Sequence, residues 1–221
     1  MPDPEPAADH PRDTYHHGQL GPALVEAGLA LARVGGPEAI VIREVTRRAG
    51  VTPRAAYRHF QSREALVQAV AEAAHARLAD VITRHVHEIT TEDPTERARG
   101  LLRAVGRGYI EFALSEPGWF EVAFFVLRDL ERAEALEAAG EEGRTPYQLL
   151  GDALDALVET GELAEDERFG ADLFCWSTVH GYAVLATKGP LRDLPPGMVT
   201  NMAEFVVDAA LRGVVSRAAG D

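Results

Sequence analysis

The chain has 221 residues, 46% of them hydrophobic, and a formal net charge of -13. That is enough apolar material for a sizeable core in one or two domains, and no run of 18 apolar residues offers a membrane span. A single cysteine, Cys175, excludes an internal disulfide and a Cys-rich metal cluster.

The acid excess is unevenly spread. Between Arg12 and Leu66 there are 8 Arg against 5 acids, whereas the remainder from Val67 onward carries 14 Lys or Arg against 27 acids. A small cationic segment on a body that repels nucleic acid is one reading of that asymmetry. An acidic solvated surface on which arginines cluster by chance is the other.

In chain order, residues 1–15 are rich in Pro and acids and poor in apolar side chains, which predicts a disordered tail. The segment lacks the basic and apolar regions of a secretion signal, so a cytoplasmic location is expected. Residues 16–66 read as a helical head and 67–221 as a helical body. Gln19 to Arg33 sets Leu20, Leu24, Ala27 and Leu31 at helical spacing, and Gly35-Gly36-Pro37 ends it. Ile42 to Ala49 and Pro53 to Phe60 form a short pair around Gly50. Ser62 caps a long helix without internal Gly or Pro. Asp93-Pro94 breaks the chain, and helices are predicted over Thr95 to Ser115 and from Pro117 onward. An acidic loop, about Glu131 to Gly143, precedes Pro146 to Thr160, Asp166 to Ala186 and Pro195 to Arg217. Strand-like alternation is nowhere sustained. The fold class is all-α, with about nine helices: a three-helix head containing a helix-turn-helix, then a helical body.

The segment Arg43 to Phe60, REVTRRAGVTPRAAYRHF, carries the chemistry. Val45 and Ala49 lie four apart and can pack on the next helix. Gly50 suits a helix end with positive φ, and Val51 can fill the angle between the two helices. Thr52 can cap the second helix, with Pro53 at its first position. Arg54 and Ala55 then stand on the first turn, the part of a recognition helix that reaches base edges. Ala56 and Phe60 face inward. Tyr57 and His59 end the helix with groups able to bond phosphates, and Arg47 and Arg48 are either phosphate contacts or solvated surface. An αα-corner that binds nothing shows the same pattern.

This stretch resembles the TetR-type transcriptional regulators. The resemblance rests on Leu31-Ala32, Ile42-Arg43-Glu44-Val45, Ala49-Gly50-Val51-Thr52, Tyr57-Arg58-His59-Phe60 and Ser62-Arg63-Glu64-Ala65-Leu66, and covers roughly residues 17–70. It implies that Arg43 touches DNA backbone or base and that Thr52, Pro53, Arg54 and Ala55 sit at the groove. It further implies that Tyr57 and His59 grip phosphates, with Arg63 near another. Arg58 departs from the residue common at that position. In the body, Trp176, His180 and Gly181 resemble the Trp-x-x-x-His-Gly pattern of one C-terminal subgroup.

The resemblance implies a homodimer built on the last two helices, with Leu173, Tyr182, Met202, Phe205, Val206 and Val207 as candidates. These are equally core positions of a monomer. It also implies an effector pocket in the body. Tyr109, Phe112, Trp119, Phe120, Phe124 and Trp176 could line it, with Arg103, Arg107 and His180 as polar groups, although aromatics at helical spacing also serve as plain core.

No phosphate-cradling Gly loop, HExxH or Gly-x-Ser-x-Gly is present. His85 and His87 point about 200° apart on a helix and cannot chelate together. No catalytic residue, metal site or cofactor is expected, and Cys175 is expected to be a buried, inert thiol. The function read from the sequence is a ligand-released repressor of double-stranded operator DNA, its effector a small organic molecule, with no membrane partner. A helical protein-interaction module or a helical enzyme without DNA binding is the alternative.

Overall fold

Every regular element among the described residues of the computed structural model is helical. The structure describes residues 19–126 and 135–218, and among them there are nine α-helices, three short 3-10 turns and no strand. In order they are α1 (Leu20–Gly35), α2 (Ile42–Arg48), α3 (Pro53–Ala56), α4 (Arg63–His87), α5 (Pro94–Ser115), α6 (Pro117–Val126), α7 (Pro146–Glu159), α8 (Ala171–Thr187) and α9 (Pro196–Ala218). The 1–15 tail and residues 127–134, which include the start of the acidic loop, lie outside the described residues.

Four helices begin as the side-chain chemistry dictates. The hydroxyls of Thr52, Ser62 and Thr145 and the carboxylate of Asp93 each accept a hydrogen bond from the backbone N–H three residues on. Each therefore satisfies a donor that has no partner inside the helix. Pro53, Pro94 and Pro146 follow directly, where a missing N–H costs nothing.

Two boundaries differ from the sequence expectation. The helix expected over Pro53 to Phe60 ends at Ala56, because the chain tightens into a turn: Arg58 N–H bonds Ala55 O at 3.2 Å and His59 N–H bonds Ala56 O at 2.9 Å. The helix expected from Asp166 starts instead at Ala171. Residues Glu165–Glu167 form a separate 3-10 turn, and Gly170 sits at φ 85°, a left-handed conformation that breaks the helical path.

Two apolar cores share two helices, α4 and α6. The head core gathers Leu24, Leu29 and Ala32 of α1, Ile42 and Val45 of α2, Ala56 of α3, and Leu66, Val67, Val70, Ala71 and Ala74 of α4. Ala49, Val51 and Phe60 pack against it half-buried, as the helix-turn-helix reading requires. The body core begins further along the same α4 with Leu78 and Ile82 and is completed by α5 to α9. The head core also takes Val122 and Ala123 from α6, so α4 and α6 each belong to both cores.

The start of α6 is keyed into the end of α1. Trp119 Nε1 donates to the Leu29 carbonyl at 2.8 Å, while Arg33 lies 5.3 Å over the Trp119 ring and donates two bonds to Glu116, at 2.7 and 2.5 Å. Gly118 makes this approach possible. A Cβ there would meet the Ala32 carbonyl oxygen and lie 2.7 Å from that of Arg33. Neither backbone atom can step aside without shifting α1. Gly118→Ala is therefore expected to destabilise the protein by about 1–3 kcal/mol, the usual range for overpacking. Urea denaturation measures this, and an unchanged midpoint would show that the helix ends are not in such contact.

Candidate functional site

The head presents one cationic face. Arg43, Arg47 and Arg48 on α2, and Thr52, Pro53, Arg54, Tyr57, Arg58 and His59 on and after α3, are all exposed, Tyr57 by 53%. Arg47 bonds Glu44 at 2.9 Å. Arg43, Arg48, Arg54 and Arg58 have no ion-pair partner among the described residues, in a chain where most other arginines do. Ala55 is half-buried, and Thr52 Oγ1 accepts from its N–H at 3.3 Å, which fixes the first turn of α3. Gly50 at φ 70° sets the angle between α2 and α3, and Val51 N–H returns to Thr46 O at 2.9 Å. His59 lies beside the first turn of α1, its Nδ1 3.7 Å from where a Cβ at Gly21 would sit.

Arg63 is placed differently from the rest of the sequence-read set. It is half-buried, with Nε donating to Ile40 O at 2.7 Å and Nη2 to Pro37 O at 2.8 Å. These bonds tie the start of α4 to the turn before α2.

In the body, a cavity of about 60 Å³ lies among α4, α5, α6, α7, α8 and α9. Of the nine residues read from the sequence for this pocket, Tyr109, Phe124 and Trp176 line it. The other six are placed elsewhere. Phe112 and Phe120 are fully buried in the body core. Trp119 is spent on the α1 junction, and Arg103 bonds Asp208 of α9 at 2.9 Å. His180 borders the aromatic cluster: Trp176 Nε1 donates to the Tyr109 hydroxyl at 3.4 Å, and that hydroxyl pairs with His180 Nδ1 at 2.7 Å. The other polar group named from the sequence, Arg107, bonds Glu204 of α9.

The residues that sequence reasoning missed are His75, Tyr147, Cys175 and an aliphatic wall that includes Ile82, Leu102, Val105 and Leu150. A signal for His75 existed. It lies four residues after Ala71 and four before Ala79 on the apolar stripe of α4, a polar side chain with Ala71, Ala74, Leu78 and Ala79 as buried neighbours. Burial pulls its imidazole down to about 4, against a bond to the Ala123 carbonyl that acts the other way. The Cys175 thiol is pushed up to about 12, first by burial, and so stays protonated and unreactive. A benzene-sized ring needs a void of ~150 Å³. A ring-shaped ligand thus requires a lining side chain to move, and Phe124, Tyr147 and Trp176 are the half-buried rings of the lining. Among the described residues no cluster of three or more His, Cys, Asp or Glu side chains could hold a metal ion, and no helix is long and apolar enough to cross a membrane.

Comparison with known proteins places this geometry. Residues 24–70 match the model of bacterial regulatory proteins of the tetR family, and residues 102–210 match the Tetracyclin repressor-like C-terminal domain. The chain belongs to the TetR family. It is a DNA-binding transcriptional regulator, not an enzyme. No curated protein sequence matches it. Among solved structures it is similar to a protein of unknown function from Rhodococcus sp. RHA1, at 25% identity and TM-score 0.70 over 92% of this chain and 100% of that one. A TetR-family transcriptional regulator from Pectobacterium atrosepticum shares its fold at 17% identity, TM-score 0.66, covering 92% of this chain and 98% of that one. So does a TetR variant from Acinetobacter baumannii AYE in complex with minocycline, at 19% identity, TM-score 0.59, covering 86% and 93%.

The buried histidine makes stability depend on pH in a defined window. Its folded value lies below its ordinary 6.5, so the stability it permits is fully present above pH 6.5 and is lost as pH falls from there toward about 4. The loss attributable to His75 is about 3 kcal/mol at most. Urea unfolding of the protein and of His75→Phe at several pH values isolates it. Equal slopes for the two across that window would contradict a histidine buried in neutral form.

Proposed function

We propose that the regulator is a repressor that binds a double-stranded DNA operator as a homodimer and leaves it when a small organic molecule enters the body cavity. The observation that carries the DNA face is the set of exposed, unpaired arginines around the Thr52-capped α3, on a chain otherwise dominated by acids. Arg54 and Ala55 would meet base edges, with Thr52 and Pro53 at the groove wall. Arg43, Tyr57 and His59 would hold phosphates. Arg63, with two donors committed inside the head, would act as the strut that fixes the start of α4. The regulator would work in the cytoplasm with its DNA.

For the dimer, the support is an uncovered apolar face on α8 and α9. Leu173 and Phe205 are 65% and 68% exposed, Met198 and Leu185 are exposed near them, and Gly181 leaves open space where a Cβ would stand. Met202 and Val206 are half-buried along the same α9 surface. Tyr182 and Val207 are excluded from such an interface. Both are buried in the chain's own core, and the Tyr182 hydroxyl donates to the Val199 carbonyl. For the effector, the support is the cavity itself, with an apolar wall and few polar groups.

Selection of bound duplexes from a random pool, followed by footprinting on the recovered promoter, tests the operator reading. Arg54→Ala is expected to cost roughly 1–3 kcal/mol on the preferred base at one position per half-site and to flatten preference there. A base profile identical to that of the unsubstituted protein would remove Arg54 from the groove.

Light scattering at micromolar concentration is expected to give twice the chain mass, and the double variant Leu173→Asp with Phe205→Asp is expected to halve it. A stable pair buries roughly 1,200–2,000 Å². A single-chain mass for the unsubstituted protein, or a dimer indifferent to both charges, would reject the α8–α9 interface.

A further inference from the structure

The polar groups around the cavity are few, and almost all are committed. Trp176 Nε1 is given to Tyr109, and the Tyr109 hydroxyl is paired with His180. The Tyr147 hydroxyl donates to Asp172 at 2.9 Å. Cys175 is a protonated thiol, a weak donor. His75 is different. It is 5% exposed, and its Nε2 lies 3.1 Å from the Ala123 carbonyl oxygen. A carbonyl only accepts, so Nε2 carries the proton and, in the neutral ring, Nδ1 carries a lone pair. Among the described residues no hydrogen bond reaches Nδ1, and the ring lines the cavity. The uncommitted polar atom at this wall is thus an acceptor.

Charge narrows the occupant further. Among the described residues the lining contains no Lys, Arg, Asp or Glu. A carboxylate or an ammonium entering would be stripped of water with no counter-charge, which costs several kcal/mol or more.

Resting on the reading of this cavity as the effector site, we propose that its ligand is a small, neutral, mainly apolar molecule that carries a hydroxyl or N–H group and donates it to Nδ1 of His75. The same imidazole ties α4 to α6 through Ala123, so the ligand is held on the link between the two helices that belong to both cores.

Phenol, toluene and benzoate separate this from the bland case. A cavity without an acceptor takes toluene and rejects phenol, whose hydroxyl would be buried unbonded. Calorimetry on the full chain is expected to show phenol binding at least as tightly as toluene, and benzoate not binding at millimolar concentration. His75→Phe is expected to weaken phenol about tenfold while leaving toluene unchanged. Should that variant fail to fold, His75→Gln can keep a donor for Ala123. Nitrogen NMR of histidine-labelled protein needs no variant at all: the His75 Nδ1 resonance should move with phenol and stay with toluene. Toluene bound and phenol rejected, or benzoate bound as tightly as phenol, overturns the donor assignment and leaves the cavity as an effector site. If neither phenol nor toluene binds at millimolar concentration, the cavity reading falls, and this inference with it.

Discussion

The structure depends on one helix belonging to two cores. α4 runs 25 residues from Arg63 to His87, about 37 Å. Its first half is buried against the DNA head and its second half against the body. A helix of this length cannot bend sharply without a Pro or an inserted group, and it contains no Pro or Gly. Displacement of the body end is therefore carried to the head as a rigid-body motion. α6 is the second shared element. It gives Val122 and Ala123 to the head core, and through Trp119 and Gly118 it holds the end of α1. A molecule that alters the α4–α6 contact acts on both helices that set the head's position.

His75 sits at that contact. Its bond to Ala123 is a polar crosslink in an otherwise apolar seam, and its ring lies 4.7 Å from that of Phe124 in an edge-to-face arrangement. A histidine costs stability in such a place unless both nitrogens find partners. Nε2 has a partner inside the chain, and among the described residues Nδ1 has none, on a ring that lines the cavity. Plain core packing would be served better by a leucine, so the polar group costs stability that a function at this site would offset.

The cationic face and the acidic body fit one electrostatic design. Surface ion pairs contribute little individually. Arg33, Arg77, Arg84, Arg99, Arg103, Arg107, Arg144 and Arg168 all pair with acids, which offsets most of the described arginines outside the α2–α3 face. The α2–α3 face keeps its positive charge. The net field directs a polyanion to one surface and repels it from the rest.

Much of the head was legible in the sequence. Thr52, Ser62, Gly50 and the Val45, Ala56 and Phe60 pattern act within a few residues of each other, so local chemistry fixes the helix starts, the turn and the exposed arginines. Helix existence in the body was equally local, written in caps and prolines. The start of α8 was misplaced because a left-handed Gly170 leaves no trace in hydrophobic periodicity. The occupants of the cavity were decided only by the tertiary structure. Aromatic residues spaced along α5 and α6 look alike in sequence, but Phe112 and Phe120 turn to the core, Trp119 turns to α1, and Tyr109 and Phe124 turn to the void. Sorting them takes the packing of α4 to α9, contacts between residues far apart in the chain. Arg63 was sorted the same way: its basic character was visible, but its use on the Ile40 and Pro37 carbonyls depends on how α4 meets the turn before α2. The sequence by itself determined which local elements form and where free charge lies; the long-range packing decided which side chains are spent on structure and which, His75 among them, line the cavity.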